Sequence, residues 1–405
     1  MAIEEEITLR STLRLLSLGA TAAILFAACT SGGGTTTSSA PSVAPTTAVS
    51  EAPSGSAAAS QAGGGNTNWT ACVAFDTGGL GDKGFNDLAK KGLDDAKAAG
   101  YKTFSAEAQG STDYAANIQR LIDQGCQTIV TVGFNQGQAT AEKTVANPTI
   151  AFSQVDTTWA GGPGAGPDFT PGTADDIPVP PNFTGLDYQI DQAAMLAGYL
   201  AAGFSKSGKI GTYGGQPFAG VTRFMDGLYA GIKYYNEKKG KTVTLLGWDG
   251  DKNGTFVNGS NPWNDPAKGE QLAKGLLDQG VDIVWPISGG TGNGSIKAMF
   301  EAGKWALGVD TDQWVSIGPP TNGAILTSAQ KAIDVSVVDI IKKNSGGDLG
   351  GEDYSGTLEN AGVLLSPFHD FDSQISAELK GEIDALSSAI KDGSVKVCTY
   401  LKRGC

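Results

Sequence analysis

From Trp69 onward, short apolar runs alternate with stretches whose apolar positions recur every three or four residues. WTACVAFD (69–76), YKTFSAEA (101–108), QTIVTVGF (127–134) and PTIAFSQVD (148–156) read as strands, with helices at Phe85–Ala99, Tyr114–Gln124 and Gln138–Val145 between them. A loop rich in Gly, Pro and Asp interrupts at Trp159–Pro181. The alternation then resumes with KIGTYGG (209–215), TVTLLGWD (242–249), VDIVWPIS (281–288) and KWALGVD (304–310), separated by helices at Arg223–Asn236, Pro266–Gln279 and Ser295–Ala302. Strand and helix in strict alternation imply an α/β protein with parallel, doubly wound sheets. Two successive halves of the same grammar imply two lobes within 69–405. The first covers about 69–187 plus a later segment and the second about 188–320, with a C-terminal segment crossing between them.

The chain before Trp69 has a different character. Arg10 and Arg14 precede an uncharged, mostly apolar stretch, Leu15–Ala28, that is too short for the roughly 20 residues a membrane-spanning helix needs. Residues 1–28 therefore read as a signal peptide, and FAAC ending at Cys29 resembles a lipobox, which implies lipidation of Cys29. Residues 30–68 carry one charge, Glu51, and no aromatic, Leu or Ile, so they cannot offset the entropy of ordering and read as a flexible tether. The expected location is extracytoplasmic, anchored to the membrane by lipid.

Charge and cysteines narrow the partners. A formal net charge of -13 makes nucleic acid a poor partner, because like charges repel. Beyond Cys29 the cysteines are Cys72, Cys126, Cys398 and Cys405, an even number that outside the cytoplasm permits disulfides. Cys72 and Cys126 each lie at the start of a predicted strand, and those strands are expected to be neighbours, which pairs them. Cys398 and Cys405 then close a C-terminal loop. His369 is the single histidine and no CxxC occurs, so neither metal nor cofactor is expected.

Ligands of such sheets sit beyond the carboxyl ends of the strands. The first strand runs into DTGGLGDKGFN, Asp76–Asn86, whose glycines admit close backbone approach while Asp76, Asp82 and Asn86 supply polar groups and Phe85 a flat apolar face. GxxxxGK[ST] is absent and the carboxylates would repel phosphate, so the loop suits a neutral ligand.

DTGGLGDKGFN resembles the opening signature of the basic membrane protein family, lipoprotein receptors that include purine nucleoside receptors. IVTVGF, NFTGLDYQIDQAAMLAGYLAA, GKIGTYGG, RFMDGLYAGIKYYN, SGGTGNG, GVDTDQW and LTSAQKAID are similar to further family segments, in order, over roughly Val73–Lys343. The resemblance implies a type I periplasmic-binding-protein fold with a hinge between its lobes, acting as a monomeric substrate-binding lipoprotein of an ABC importer. It implies a nucleoside held between the lobes and delivered to a permease, with no catalysis. Asp76 and Asn86 would then hydrogen-bond a base edge with Phe85 stacked on it, and Asp156 would add a polar contact. From the other lobe, Trp285 would be the opposing aromatic, Gly290 would approach through its backbone, and Asp310 and Lys331 would fix the ribose hydroxyls.

Structural alternatives stand beside each assignment. Phe85 and Trp285 also suit a core, Asp76 a turn cap and Lys331 a solvated helix, while Asp312 shares the loop of Asp310. WDGDKNGTF, with Asp249, Asp251, Asn253 and Gly254, copies the first half of a calcium loop, but Ser260 stands where a bidentate Glu is needed, so an ordinary polar loop is expected. His369, beside Asp370 and Asp372, is expected at the surface. A sugar receptor of the same fold, a nucleoside hydrolase and a ligand-sensing signalling partner are the rival functions.

Overall fold

The computed structural model describes residues 66–166 and 171–405. The leader, the lipidation site at Cys29 and the tether through residue 65 lie outside the described residues. The first sheet and its helices are built in chain order from β1 (Thr70–Phe75), α1 (Phe85–Ala98), β2 (Lys102–Glu107), α2 (Tyr114–Asp123), β3 (Thr128–Val132), α3 (Gly137–Ala146), β4 (Ala151–Val155) and β5 (Phe183–Tyr188). Through α4 (Ile190–Phe204) the chain passes to a second sheet: β6 (Lys209–Gly214), α5 (Ala219–Lys239), β7 (Thr244–Leu246), α6 (Pro266–Leu277), β8 (Ile283–Ile287), α7 (Gly290–Glu301), β9 (Trp305–Asp310), α8 (Gln313–Ile317) and β10 (Ile325–Lys331). It returns with α9 (Ile333–Ser345) and β11 (Tyr354–Gly356), then crosses again to β12 (Val363–Leu365) and α10 (Ala377–Lys391).

The strand orders are β11-β5-β4-β3-β1-β2 and β12-β10-β9-β8-β6-β7. All pairings in the first sheet are parallel, and in the second only β12 runs antiparallel, on β10. The connections β5 to β6, β10 to β11 and β11 to β12 each cross between sheets, which gives a hinge of separate strands. In both sheets the first strand lies inside the second, and the carboxyl ends of the central strands open toward one cleft.

Close helix packing explains where one element departs from sequence expectation. The SGGTGNG run is helical from Gly290 rather than from Ser295, because α7 lies against α6 so tightly that a Cβ on Gly294 would stand 1.8 Å from the Pro266 carbonyl oxygen. Gly231 plays the same part between α5 and α4, where a Cβ would stand 2.2 Å from the Met195 carbonyl oxygen. The helix α4, IDQAAMLAGYLAAGF, is apolar on nearly every side and is buried almost throughout, so it joins the core on several faces. The loop after β4 tucks onto the first sheet, with Trp159 buried edge-on to Phe183 at 4.7 Å and its indole N–H donating to the Ile177 carbonyl at 2.7 Å.

Cys72 and Cys126 are bonded to each other, joining β1 to the turn two residues before its neighbour β3, and Cys398 is bonded to Cys405. The first bridge closes 54 residues, a loop whose constraint contributes about 4 kcal/mol in the chain-entropy model.

Candidate functional site

A cleft lies between the sheets, lined from both of them. Its first wall begins where β1 ends. Asp76 accepts hydrogen bonds from the Gly78 N–H at 2.9 Å and the Asn86 amide at 3.0 Å. Asp82 accepts the N–H of Gly84 (2.9 Å), Asn86 (2.8 Å) and Asp87 (3.2 Å), which starts α1 and fixes Phe85 and Asn86 at the cleft. The Asn86 Oδ1 is buried without a partner, an acceptor left over for something in the cleft. Gly133 lets the chain after β3 pass Asp76, since a Cβ there would lie 2.3 Å from the carboxylate.

The two sheets contribute matched carboxylates. Asp156 directly follows β4 and Asp310 ends β9, and both adopt left-handed backbone, φ +73° and +64°. Non-glycine residues pay for that conformation, and such outliers gather at functional sites. Lys331, at the end of β10, reaches between them, 2.8 Å from Asp156 and 3.3 Å from Asp310, with its side chain 1% exposed. Its ammonium also lies 5.4 Å from the Phe85 ring centre and 4.9 Å from that of Phe224 on α5. Gly220 at the start of α5 leaves room for Asp156, where a Cβ would stand 2.1 Å from its Oδ2. Farther along the wall, Phe134 and Phe218 stack at 4.4 Å, and Phe218 faces Trp263 at 6.3 Å.

Burial sets the protonation of this site. Desolvation raises the Asp76 and Asp310 carboxyls above the ordinary range, against the Asn86 amide for Asp76 and Lys331 for Asp310. It lifts Asp82 to about 7. For Lys331 burial works toward the neutral amine, but Asp156 and Asp310 outweigh it and hold the ammonium above its usual value. Asp76, Asp82, Asp156 and Asp310 line the cleft, with Lys331 as the single basic side chain among the residues that line it.

Asp76, Phe85, Asn86, Asp156, Asp310 and Lys331 all line this cleft. Trp285 does not. It is fully buried, its indole N–H donates to the Gly308 carbonyl at 3.1 Å, and it packs edge-on behind Phe224 at 5.6 Å. The strand β8 runs on to Ile287 and Ser288 before reaching the cleft, so Trp285 sits a turn of the pleat too early. Gly290 is likewise displaced by its neighbour Gly289: it opens α7, lies against Asn264 and the Trp263 backbone carbonyl, and does not line the cleft, whereas Gly289 does. Phe224, Phe218, Phe134 and Trp263 were the aromatics that strand-end reasoning missed, because they stand on a helix and on loops. Of these only Phe224 carried a signal, as an aromatic in the first turns of the helix after β6, within RFMDGLY.

Other candidates resolve elsewhere. Asp312 accepts from His369 Nε2 at 2.7 Å, and His369 stacks on Trp314 at 4.2 Å, so Asp310 alone of that loop meets the cleft. Asp249 accepts the N–H groups of Asp251, Lys252 and Asn253, while Arg403 donates to the Asp251 carbonyl at 2.7 Å. Among the described residues no group of His, Cys, Asp and Glu is arranged to hold a metal. No described helix is long and apolar enough to cross a membrane.

The family model described as ABC transporter substrate-binding protein PnrA-like matches residues 70–397. The ABC transporter nucleoside-binding protein BmpA of Lactococcus lactis is 27% identical over 352 residues, 82% of this chain and 89% of that protein. Basic membrane protein A of Borreliella burgdorferi is 27% identical over 321 residues, covering 77% and 83%. In fold, an ABC transporter solute-binding protein from Aeropyrum pernix K1 superposes with a TM-score of 0.67 at 22% identity, over 81% of this chain and 92% of that one. A Conexibacter woesei solute-binding protein gives 0.61 at 20% identity, over 82% and 100%. With a type I periplasmic-binding fold and a cleft built to hold a solute without transforming it, the chain belongs to the Bmp family of PnrA-like ABC transporter substrate-binding proteins.

Proposed function

We propose that the cleft captures a nucleoside, a purine nucleoside above others, and that the closed protein, anchored through Cys29, delivers it to an ABC permease. The observation that carries this reading is the buried Lys331, shared by one carboxylate from each lobe and flanked by the rings of Phe85 and Phe224. Two rings on opposite lobes suit a flat base, with stacking worth roughly 1–3 kcal/mol per base. Charged acceptors beside an ammonium suit a vicinal diol, because ionised partners strengthen hydrogen bonds. The free Asn86 Oδ1 offers an acceptor to a base N–H or amino group. The nucleoside-binding name of the Lactococcus lactis relative supports the same ligand class.

Closure follows from the placement of these groups. A ligand seated on Asp76, Phe85 and Asn86 meets Phe224, Asp310 and Lys331 only when the lobes close, so its differential contacts favour the closed state. Calorimetric titration with inosine, adenosine, free ribose and inosine monophosphate tests the proposal. Both nucleosides are expected to bind and the monophosphate to fail. Binding of ribose as tight as that of inosine would move the reading to a sugar receptor, and silence from every nucleoside would reject it.

A further inference from the structure

Two hydrogen bonds, donated by residues that do not line the ligand cleft, join the lobes at the loop that follows β1. The loop is stiffened from within: Asp87 accepts the Gly81 N–H at 2.7 Å and the Lys83 N–H at 3.1 Å, and Asp82 takes the three N–H groups given above. Lys83 itself is held in left-handed backbone, φ +63°. The carbonyls of Asp82 and Lys83 meet the second lobe. Asn293 on α7 donates its amide to the Asp82 carbonyl at 3.1 Å, and Ser316 on α8 donates its hydroxyl to the Lys83 carbonyl at 2.7 Å. Asn293 is oriented by Gln313, whose amide reaches it at 3.4 Å while its own oxygen accepts the Val309 N–H at 2.9 Å. Neither Asn293 nor Ser316 lines the cleft.

We infer that Asn293 and Ser316 form a closure clasp, positioning residues that hold the lobes together through the backbone of Asp82 and Lys83 and thereby set how long a bound solute is retained. This rests on the reading of the cleft as one that closes on its ligand. Both hydrogen bonds run from one lobe to the other, so they exist only in the closed state and favour it whether or not a ligand is present. Asp82 also couples the clasp to the site. Its carbonyl is gripped by Asn293, while its carboxylate holds the backbone N–H of Asn86 at 2.8 Å and the Asn86 amide at 3.2 Å. Grip on the loop therefore places the Asn86 acceptor, and the left-handed Lys83 is the strained joint that turns the two carbonyls outward.

The test is the double variant Asn293→Ala with Ser316→Ala, made in the full chain. Stopped-flow kinetics with a nucleoside that the unaltered protein binds should show dissociation faster by about tenfold, as two net hydrogen bonds predict, with association within about twofold. Ser316→Thr, which keeps the hydroxyl, should retain the original rate. Hydrogen exchange of the ligand-free proteins gives a second readout, at Gly133–Gln136 and Phe218–Val221. These segments line or flank the cleft without touching Asn293 or Ser316, and they should exchange faster in the double variant while β3 and β8 are unchanged. Unaltered dissociation with unaltered exchange at both segments would overturn the clasp. Should the unaltered protein bind no nucleoside, the proposed ligand fails, yet the exchange comparison still decides the clasp.

Discussion

Two clusters of carboxylates in this molecule are each answered by basic side chains of the chain itself, one in the cleft and one around the 249–254 loop. At the loop the carboxylates of Asp249 and Asp226 are both taken. Asp249 receives three backbone N–H groups, the Asn253 amide at 2.8 Å and Lys402 at 3.4 Å, and Asp226 beneath it receives Arg403 and the Trp248 indole. The Asn253 side chain first, and the N–H groups and Lys402 after it, hold Asp249 below the ordinary carboxylate range. In the cleft one ammonium serves two carboxylates from different lobes, and the Asn86 oxygen has no partner. Acidic residues alone do not make a binding site. Hydrogen-bonding capacity left over on buried side chains of a cleft does, and the partnered carboxylates of Asp249 and Asp226 show what its absence looks like.

The largest effect should come from breaking the cleft's charge balance. Lys331→Met leaves Asp156 and Asp310 buried and facing each other, so the variant should lose about 3–5 kcal/mol of stability in denaturant titrations and all measurable nucleoside binding in calorimetry. Next come the rings. Phe85→Ala and Phe224→Ala should each weaken nucleoside binding by about tenfold or more, whereas Trp285→Phe, one layer behind, should lower stability by about 1–3 kcal/mol with a smaller change in affinity. Equal losses of affinity in Phe224→Ala and Trp285→Phe would erase the distinction between the cleft and the core behind it.

A subtler contrast appears with pH. Asp82 takes up its proton at about 7 in the folded protein and near 3.8 when unfolded, so between these values the folded state binds more protons. Stability from this group is greatest below the unfolded value and falls as pH rises toward 7, by roughly 1.4 kcal/mol per pH unit at the steepest. Asp82→Asn should flatten that part of the stability curve, measured as the difference between the two proteins from pH 4 to 7. The smallest effects belong to the loop. Asp249→Asn, and addition of calcium or EDTA, should leave nucleoside affinity within about twofold, since Asp249 contacts only its own loop and Lys402.

Much of this was visible in the sequence, and the misses share a cause. Strand-end reasoning picked out Asp76, Phe85 and Asn86 in the loop after the first strand, because a parallel sheet delivers its carboxyl ends to one side whatever the detailed packing, whereas Asp156, Asp310 and Lys331 entered through the family resemblance. The order β2-β1-β3 made neighbours of β1 and β3, which is why strand reasoning sufficed to bring Cys72 to Cys126. Trp285 failed because an apolar run announces a strand but not where the strand stops relative to the cleft, and IVWPI continues past it. Phe224 was hidden because an aromatic in the first turns of a helix looks the same whether it faces a ligand or a core. Gly290 was misplaced because a glycine-rich run reads as a loop, whereas here its glycines permit α6 and α7 to touch. Local pattern reports what an element is; which side chain passes its end depends on packing from elsewhere.

The most direct test of the central claim is a crystal structure of the protein with inosine bound. The expected map places the base between Phe85 and Phe224, the ribose hydroxyls at Asp310 and Lys331, and Trp285 still out of contact behind Phe224. Inosine lying outside the cleft, or bound in it with Phe85 and Phe224 on the same side of the base, would contradict the account.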